Sequence, residues 1–181
     1  SLSIGPGVVF QQENEFEGGH LRVYYSAPKW FSFGPEFTYY LPTLYSGQDA
    51  DNNDVLREER LWSADFNLHI DFRICKLLTV YPVLGGNYTR LYQYSGLATP
   101  EGEPVEDPFE RNYIGLNLGA GIQLFPDRVG PFFEYKRGVS TYDQTVFTFG
   151  INFRIPFKDS GDWVPERSAL RFRSRKEKAA E

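Results

Sequence analysis

The segment Thr145–Phe157 reads Thr-Val-Phe-Thr-Phe-Gly-Ile-Asn-Phe-Arg-Ile-Pro-Phe, and it decides the fold. Alternate side chains of a strand point to opposite faces, so one face of this strand is apolar and the other is small or polar. The apolar face consists of Phe147, Phe149, Ile151, Phe153 and Ile155, and the polar face of Thr148, Gly150, Asn152 and Arg154. The same alternation recurs along most of the chain. It predicts a membrane barrel that is apolar outside and polar inside.

Composition favours membrane strands over membrane helices. Aromatic residues make up 17% of the 181 residues, whereas the hydrophobic fraction is only 41%. No apolar run of about 18 residues is present, as a transmembrane helix would require. A strand crosses a bilayer with about 9–11 residues, half of them polar, so a modest hydrophobic fraction is compatible with a membrane barrel. The net charge of −5 gives no footprint for nucleic acid, and no nucleic-acid partner is expected.

Eight strands are predicted, and the turns between them alternate between short and long. The strand ranges are 3–12, 18–26, 30–41, 60–73, 77–94, 111–125, 130–141 and 145–157. Outer-membrane barrels have short periplasmic turns and longer external loops. The prediction is therefore all-β: an eight-stranded antiparallel up-and-down transmembrane β-barrel over 1–157, with a short basic periplasmic tail over 158–181. We expect it in the bacterial outer membrane with both termini periplasmic.

Eight strands enclose a lumen that side chains fill. Gly115, Gly119 and Gly121 on the inward face of the sixth strand indicate a tight interior. Inward-facing charges nearly balance, and an unpaired buried charge would cost several kcal/mol. We therefore predict a lumen plugged by ion pairs rather than an open pore. The predicted interior polar network consists of Arg22, Glu36, Asp65, His69, Asp71, Glu134, Lys136 and Arg154.

Three segments carry a resemblance to known proteins: Asn-Tyr-Ile-Gly-Leu-Asn-Leu-Gly-Ala-Gly-Ile-Gln at 112–123, Gly-Pro-Phe-Phe-Glu-Tyr-Lys at 130–136, and the last strand. The chain resembles small OmpA/OmpX-type barrels, and most closely the PorT-like outer-membrane β-barrel families of Bacteroidota. The resemblance covers about residues 3–157 and implies outer-membrane lipid and the barrel-assembly machinery as partners. In such families the machinery reads an assembly signal in the last strand, and the matching residues are Thr148, Gly150, Phe153 and Ile155. Function stays open, because this fold hosts adhesins, anchors, enzymes and assembly subunits.

The C-terminal tail departs from this pattern. Barrels of this type often end at the terminal aromatic, here Phe157, but the chain continues to Glu181 with many arginines and lysines. One interpretation is a docking segment in which Trp163, Leu170 and Phe172 are candidate partner contacts, since aromatic and arginine residues are favoured interface anchors. The other is a solvated, disordered basic tail.

Candidate chemistry is sparse. His69 shares its predicted face with Ser63, Asp65 and Asp71, but residues two apart on a strand are separated by roughly 7 Å. No nucleophile-elbow pattern is present, so we interpret His69 as a satisfied interior histidine and predict no enzyme activity. The Asp49–Asp54 loop carries oxygen ligands of the type calcium prefers, but it lacks the glycine and distal glutamate of an EF-hand. We interpret it as a solvated acidic turn and predict no cofactor.

The leading functional hypothesis is a non-enzymatic structural or accessory subunit of a cell-envelope complex for secretion, assembly or uptake. Its external loops or its tail would contact other envelope proteins. One alternative is a small-solute channel, which needs a wider lumen than eight strands enclose. The other is a soluble lipocalin-like ligand-binding barrel, which needs the apolar face to point inward.

Overall fold

A computed structural model describes residues 1–27, 30–48, 54–97 and 109–157, and its regular structure is entirely β-strand. The strands are β1 (Leu2–Gln11), β2 (Phe16–Ser26), β3 (Phe31–Tyr40), β4 (Thr43–Gln48), β5 (Asp54–Ile70), β6 (Phe72–Cys75), β7 (Leu78–Leu97), β8 (Phe109–Leu124), β9 (Val129–Val139) and β10 (Gln144–Ile155). Within these described ranges, no helix is long and apolar enough to cross a membrane.

The strands close into an antiparallel ring. β1 pairs with β2 and also with β10, where Leu2 lies opposite Ile155. β5 pairs with β3 on one side and with β7 on the other, which closes the circle. β6 continues β5 after a break at Asp71, so the ring has eight positions, and β4 pairs with β5 outside it. The predicted eight-stranded up-and-down barrel is confirmed.

The two ends of the barrel differ. At the end we call the terminal end, Ser1 and Phe157 lie beside the short turns that precede β7 and β9. At the opposite end, called the loop end, lie the links between β1 and β2, β3 and β5, β7 and β8, and β9 and β10. Both described termini of the barrel wall are therefore on one side.

The strands are longer on one side of the barrel than the sequence predicts. β5, β7 and β8 have 17, 20 and 16 residues, against 10 to 12 in β1, β2, β3, β9 and β10. The predicted start at 60 is wrong, because β5 begins at Asp54, and the predicted link 42–59 contains β4. β7 and β8 extend past the predicted limits at 94 and 111 by three and two residues. Beyond the loop end, β4 and the extensions 54–60, 92–97 and 109–112 form a four-stranded sheet, called the projecting sheet. Charged outward residues interrupt the apolar alternation there, which is why the pattern fails to mark these extensions.

The outer surface of the barrel wall is apolar. Phe149 and Ile151 on β10 are exposed, as is Ile114 on β8 at 81%, whereas Thr148 has no exposed surface. A water-soluble monomer rarely exposes a continuous apolar surface of this kind. It matches the outward apolar band of a bilayer-spanning barrel.

The lumen is filled at the loop end by an apolar cluster. It consists of Val9, Phe16, Tyr40, Leu61, Leu91 and Val146, with Tyr113 and Tyr142 packed against it. Tyr142 stacks on Tyr113 at 4.9 Å, and its hydroxyl oxygen accepts hydrogen bonds from Gln11 (3.2 Å) and Asn14 (2.8 Å). Burial raises the pKa of the Tyr142 hydroxyl above its usual value, because the charged form would lose its hydration. This cluster closes one end of the lumen.

Inward glycines make room for large side chains on other strands. A Cβ atom at Gly150 would lie 2.6 Å from the Phe132 ring, and one at Gly121 would lie still closer to the Tyr81 ring. Such separations are shorter than any carbon–carbon contact at its optimum of about 3.5–4.0 Å. Glycine is therefore required at these positions to fit the aromatic rings into a lumen of eight strands.

The substitution Gly150→Ala tests this packing. We expect it to lower the free energy of unfolding by about 1–3 kcal/mol, because the new methyl group displaces Phe132 and meets the Pro6 carbonyl oxygen. Equilibrium urea unfolding of the refolded barrel in detergent measures the change. Gly86→Ala is the matched control, since a Cβ atom there has no atom within 4 Å. Equal effects of the two substitutions would contradict the packing argument.

Candidate functional site

The middle of the lumen holds a cluster of buried charges, here called the central network. Its charged members and one histidine are Arg22 on β2, Glu36 on β3, Asp65 and His69 on β5, and Glu134 and Lys136 on β9, all buried. Strand register explains half of this convergence: Arg22 lies directly opposite Glu36, and Glu36 directly opposite Asp65. Three neighbouring strands therefore present one row of charges to the lumen, a cation followed by two carboxylates.

Lys136 connects this row to the far wall of the barrel. Its Nζ atom contacts Glu36 Oε2, lies 3.0 Å from Asp65 Oδ2 and 3.7 Å from Glu134 Oε1. A buried ammonium needs such partners, because its desolvation costs several kcal/mol. One cation thus joins β9 to β3 and β5 across the lumen.

Arg22 makes the second set of cross-lumen contacts. Its Nη1 atom donates to Glu134 Oε2 (3.2 Å) and to the Tyr81 hydroxyl (3.0 Å). Its Cζ atom lies 3.4 Å from the centre of the Phe132 ring, a cation–π distance. The room that Gly150 leaves for Phe132 is therefore also what places a ring under this guanidinium.

His69 is held between two tyrosine rings, with centres 4.3 Å away for Tyr24 and 4.4 Å for Tyr81. The Tyr24 hydroxyl donates its single proton to Glu36 Oε1 at 2.5 Å. Since that proton is used, His69 Nε2 must carry hydrogen and donate to the Tyr24 oxygen at 2.9 Å. This assigns the tautomer of the imidazole from the network around it.

That tautomer bears on metal binding. Within the described residues, Glu36, His69 and Glu134 place one ligand atom each within 4.8 Å of one another. The His69 Nε2 atom, 3.7 Å from Glu134 Oε2, carries a proton directed to Tyr24, so this atom has no lone pair free for a metal ion. The Lys136 ammonium already forms ion pairs with Glu36 and Glu134, the two carboxylates that a metal ion would need. The donor set fits an ion-pair network and does not fit a metal centre.

The same geometry leaves no nucleophile for His69. Its hydrogen bond goes to Tyr24, whereas Asp65 accepts from Asn87 (2.6 Å) and pairs with Lys136. Ser63 is buried and does not bond to the imidazole. The Ser/His/Asp combination on one strand face is therefore not assembled into a catalytic set.

Two predicted network residues lie elsewhere. Asp71 accepts a hydrogen bond from Ser32 (3.1 Å) at the terminal end, where β5 breaks. Arg154 donates to Ser1 Oγ (2.9 Å) and to the Pro126 carbonyl (3.2 Å) at the same end. The structure thus joins six of the eight predicted residues through direct contacts. Asp71 and Arg154 lie farther toward the terminal end, where they line one cavity with Arg22 and His69.

Several network members escape the sequence analysis. Tyr24, Tyr81 and Phe132 face inward, and so do His20 and Asn87. Their signal is present, since Tyr24 is two residues from Arg22 and Phe132 two from Glu134. A search restricted to charged groups passes over aromatic residues on the same face.

The remaining predicted residues divide between the two faces of β10 and the part of the chain outside the description. Thr148 and Gly150 face the lumen, and Phe153 and Ile155 face outward. Trp163, Leu170 and Phe172 lie outside the described residues. Residues 49–53 of the candidate calcium loop do so as well, and its last residue, Asp54, is the first of β5.

A closed eight-stranded barrel with an apolar exterior and a charged, filled lumen defines the class of small outer-membrane-type barrels. No family model matches the sequence. No curated protein matches it either.

Solved structures of this class resemble the chain in fold. Ail of Yersinia pestis, solved with the heparin analogue sucrose octasulfate, is 16% identical with a TM-score of 0.53, and the match covers 86% of this chain and 97% of Ail. A major outer membrane protein of Thermus thermophilus is 14% identical (TM-score 0.54; 85% and 98% covered). Neisserial surface protein A is 11% identical (TM-score 0.51; 85% and 96% covered). Identities this low establish the shared barrel fold alone.

The substitution Lys136→Met tests the central network. We expect a loss of about 3–5 kcal/mol in the free energy of unfolding, because it leaves the carboxylates of Glu36 and Asp65 buried without their cation. Denaturant titration in detergent measures it. Arg137→Met is the control, since the exposed Arg137–Asp143 pair (3.8 Å) contributes about 0–1 kcal/mol. A similar loss from both variants would refute the central role of Lys136.

Proposed function

We propose that this chain is a barrel of the bacterial outer membrane that acts as a non-enzymatic structural or accessory subunit of a cell-envelope complex. The observation that carries the proposal is the closed lumen, with an apolar cluster at the loop end and the central network below it. The cluster and the network leave no continuous path for solutes. The cavity of about 50 Å³ that remains toward the terminal end is smaller than the roughly 300–1,000 Å³ of small-molecule sites. The surfaces left for function are the outside of the barrel, the projecting sheet and the tail over 158–181.

The outer surface supports a place in the bilayer. On β7 the outward residues from Val80 to Tyr88 carry no charge, and this stretch rises about 20 Å along the axis at about 3.3 Å per residue and a tilt of about 40°. Outer-membrane barrels have an apolar band about 25 Å tall. The Trp62 ring centre lies 5.5 Å from that of Tyr88 and 5.9 Å from that of Phe37. These three rings form an aromatic belt at the loop-end edge of the apolar band.

Orientation follows the lengths of the connections. The loop end, with its long links and the projecting sheet, is proposed to face outward, and both termini are proposed to lie in the periplasm. The resemblance to PorT-like families supports a role among envelope partners. In this proposal Thr148, Gly150, Phe153 and Ile155 serve the assembly machinery, and Trp163, Leu170 and Phe172 contact a partner.

The lipocalin-like alternative is wrong. A soluble ligand-binding barrel would turn its apolar face inward. Here Phe149, Ile151 and Phe66 are exposed, whereas Asn67 and Glu134 are buried inside.

Removing residues 158–181 tests the accessory role. We expect the shortened chain to fold, because the barrel wall is complete by Phe157, but to lose envelope proteins that cross-link to the full chain. Heat-dependent gel mobility reports folding, and mass spectrometry of cross-linked outer membranes reports partners. A second variant that replaces 43–48 with a Gly-Ser link tests the projecting sheet. Retention of every partner by both variants would contradict the proposal.

The closed lumen predicts electrical silence. We expect no single-channel steps from the folded protein in planar bilayers, because the apolar cluster and the central network block the lumen at two levels. Reproducible conductance steps that disappear after heat unfolding of the sample would instead favour the small-solute channel.

A further inference from the structure

A groove runs along the outside of the barrel where the wall continues into the projecting sheet. This rim groove is lined by Tyr39, Glu58, Arg60, Trp62, Arg90, Tyr92, Tyr94 and Glu110. Its lower part lies in the aromatic belt around Trp62, and its upper part lies on the extended strands. It therefore crosses the level where the apolar band of the barrel ends.

Charge in the rim groove is arranged in layers. Along β5, Trp62, Arg60 and Glu58 follow one another at alternate positions on the outward face. On β7, Arg90 lies directly opposite Trp62, so Arg60 and Arg90 are diagonal neighbours about 7–8 Å apart. By strand register, Arg90 lies level with Trp62, at the edge of the aromatic belt. Arg60 and Glu110 lie in the next row outward, and Glu58 lies in the row beyond it. An interface rich in anionic head groups attracts cations at this level.

Both guanidinium groups have donors to spare. Arg60 Nε bonds to Glu58 Oε1 at 2.7 Å, and Arg90 pairs with Glu110. The arginine side chains are 55% and 43% exposed, so these pairs exchange readily with solvent or other anions. A guanidinium has five N–H donors, and a carboxylate uses at most two of them. Donors therefore remain for a phosphate that lies between the two arginines.

We propose that the rim groove binds a lipid with an anionic phosphomonoester head group, from the leaflet at the loop end. Arg60 and Arg90 bind the phosphate from two adjacent strands, and Trp62 and Tyr39 contact the apolar part of the lipid just below it. The proposal rests on the membrane placement argued above. The proposed site would bind one lipid specifically, in addition to the nonspecific contacts that the apolar wall makes with the bilayer.

A second outward arginine position serves as the comparison. Arg137 on β9 lies opposite Leu118 and is 59% exposed, but it is not part of the rim groove. Its nearest acidic partner is Asp143 at 3.8 Å. Replacing Arg137 by glutamine removes one positive charge, as the Arg60 and Arg90 substitutions do, but leaves the rim groove unchanged.

Trp62 provides a direct readout, because it lies in the groove. In a Trp30→Phe/Trp163→Phe background, Trp62 is the only tryptophan, since the chain has three. The full chain is reconstituted into phosphatidylcholine vesicles that contain a small fraction of brominated phosphatidic acid or, separately, of brominated phosphatidylcholine. We expect phosphatidic acid to quench Trp62 with at least about a five-fold apparent preference, which each of Arg60→Gln and Arg90→Gln lowers by about five-fold. Arg137→Gln keeps the preference.

The outcomes distinguish the proposed lipid site from the membrane placement on which it rests. Equal quenching by the two brominated lipids overturns the lipid site but leaves the membrane placement intact. Absence of quenching by either lipid in a folded sample overturns the membrane placement itself. Addition of inorganic phosphate distinguishes the source of the anion: full competition at millimolar concentration identifies a free-phosphate site and overturns the lipid assignment. Loss of the preference in Arg137→Gln also overturns it.

Discussion

The shared Lys136 ammonium is the interaction on which the closed barrel depends. Glu36, Asp65 and Glu134 would repel one another in a lumen from which bulk water is excluded, and Lys136 contacts all three. Because these carboxylates come from β3, β5 and β9, the same cation also ties opposite walls together. The lumen therefore serves as the structural core of the barrel. It can be polar because its buried charges are paired with one another.

This inverted arrangement decides where the protein can act. In a soluble domain the apolar core provides stability and the polar surface meets partners. Here the polar interior provides the cross-links and the apolar surface faces outward, as Phe149 and Ile114 show. The surfaces that remain for contacts with other molecules are the outside of the wall and the parts of the chain beyond its two ends, such as the projecting sheet. The rim groove lies where these two surfaces meet, at the edge of the aromatic belt.

Sequence alone predicts the part of the structure that depends on the two-residue period. The faces of β10 and the central part of β5 follow directly from alternation, as the exposure of Phe149 and the burial of Asn67 show. The projecting sheet does not follow, because outside the apolar band Glu58 and Arg60 face outward and the alternation vanishes. The partners in the lumen do not follow either. Lys136 meets Asp65 because of the stagger between strands far apart in sequence, and no local pattern records that stagger.

The pairing of inward glycines with aromatic rings has a consequence for how such chains diverge. Tyr81 fills the space over Gly121, and Phe132 fills the space over Gly150, so neither partner can grow alone. A ring and a glycine can, however, exchange strands together while the lumen keeps its volume. We therefore expect paired exchanges of a ring and a glycine to be tolerated at these positions, where either substitution alone would disturb the wall.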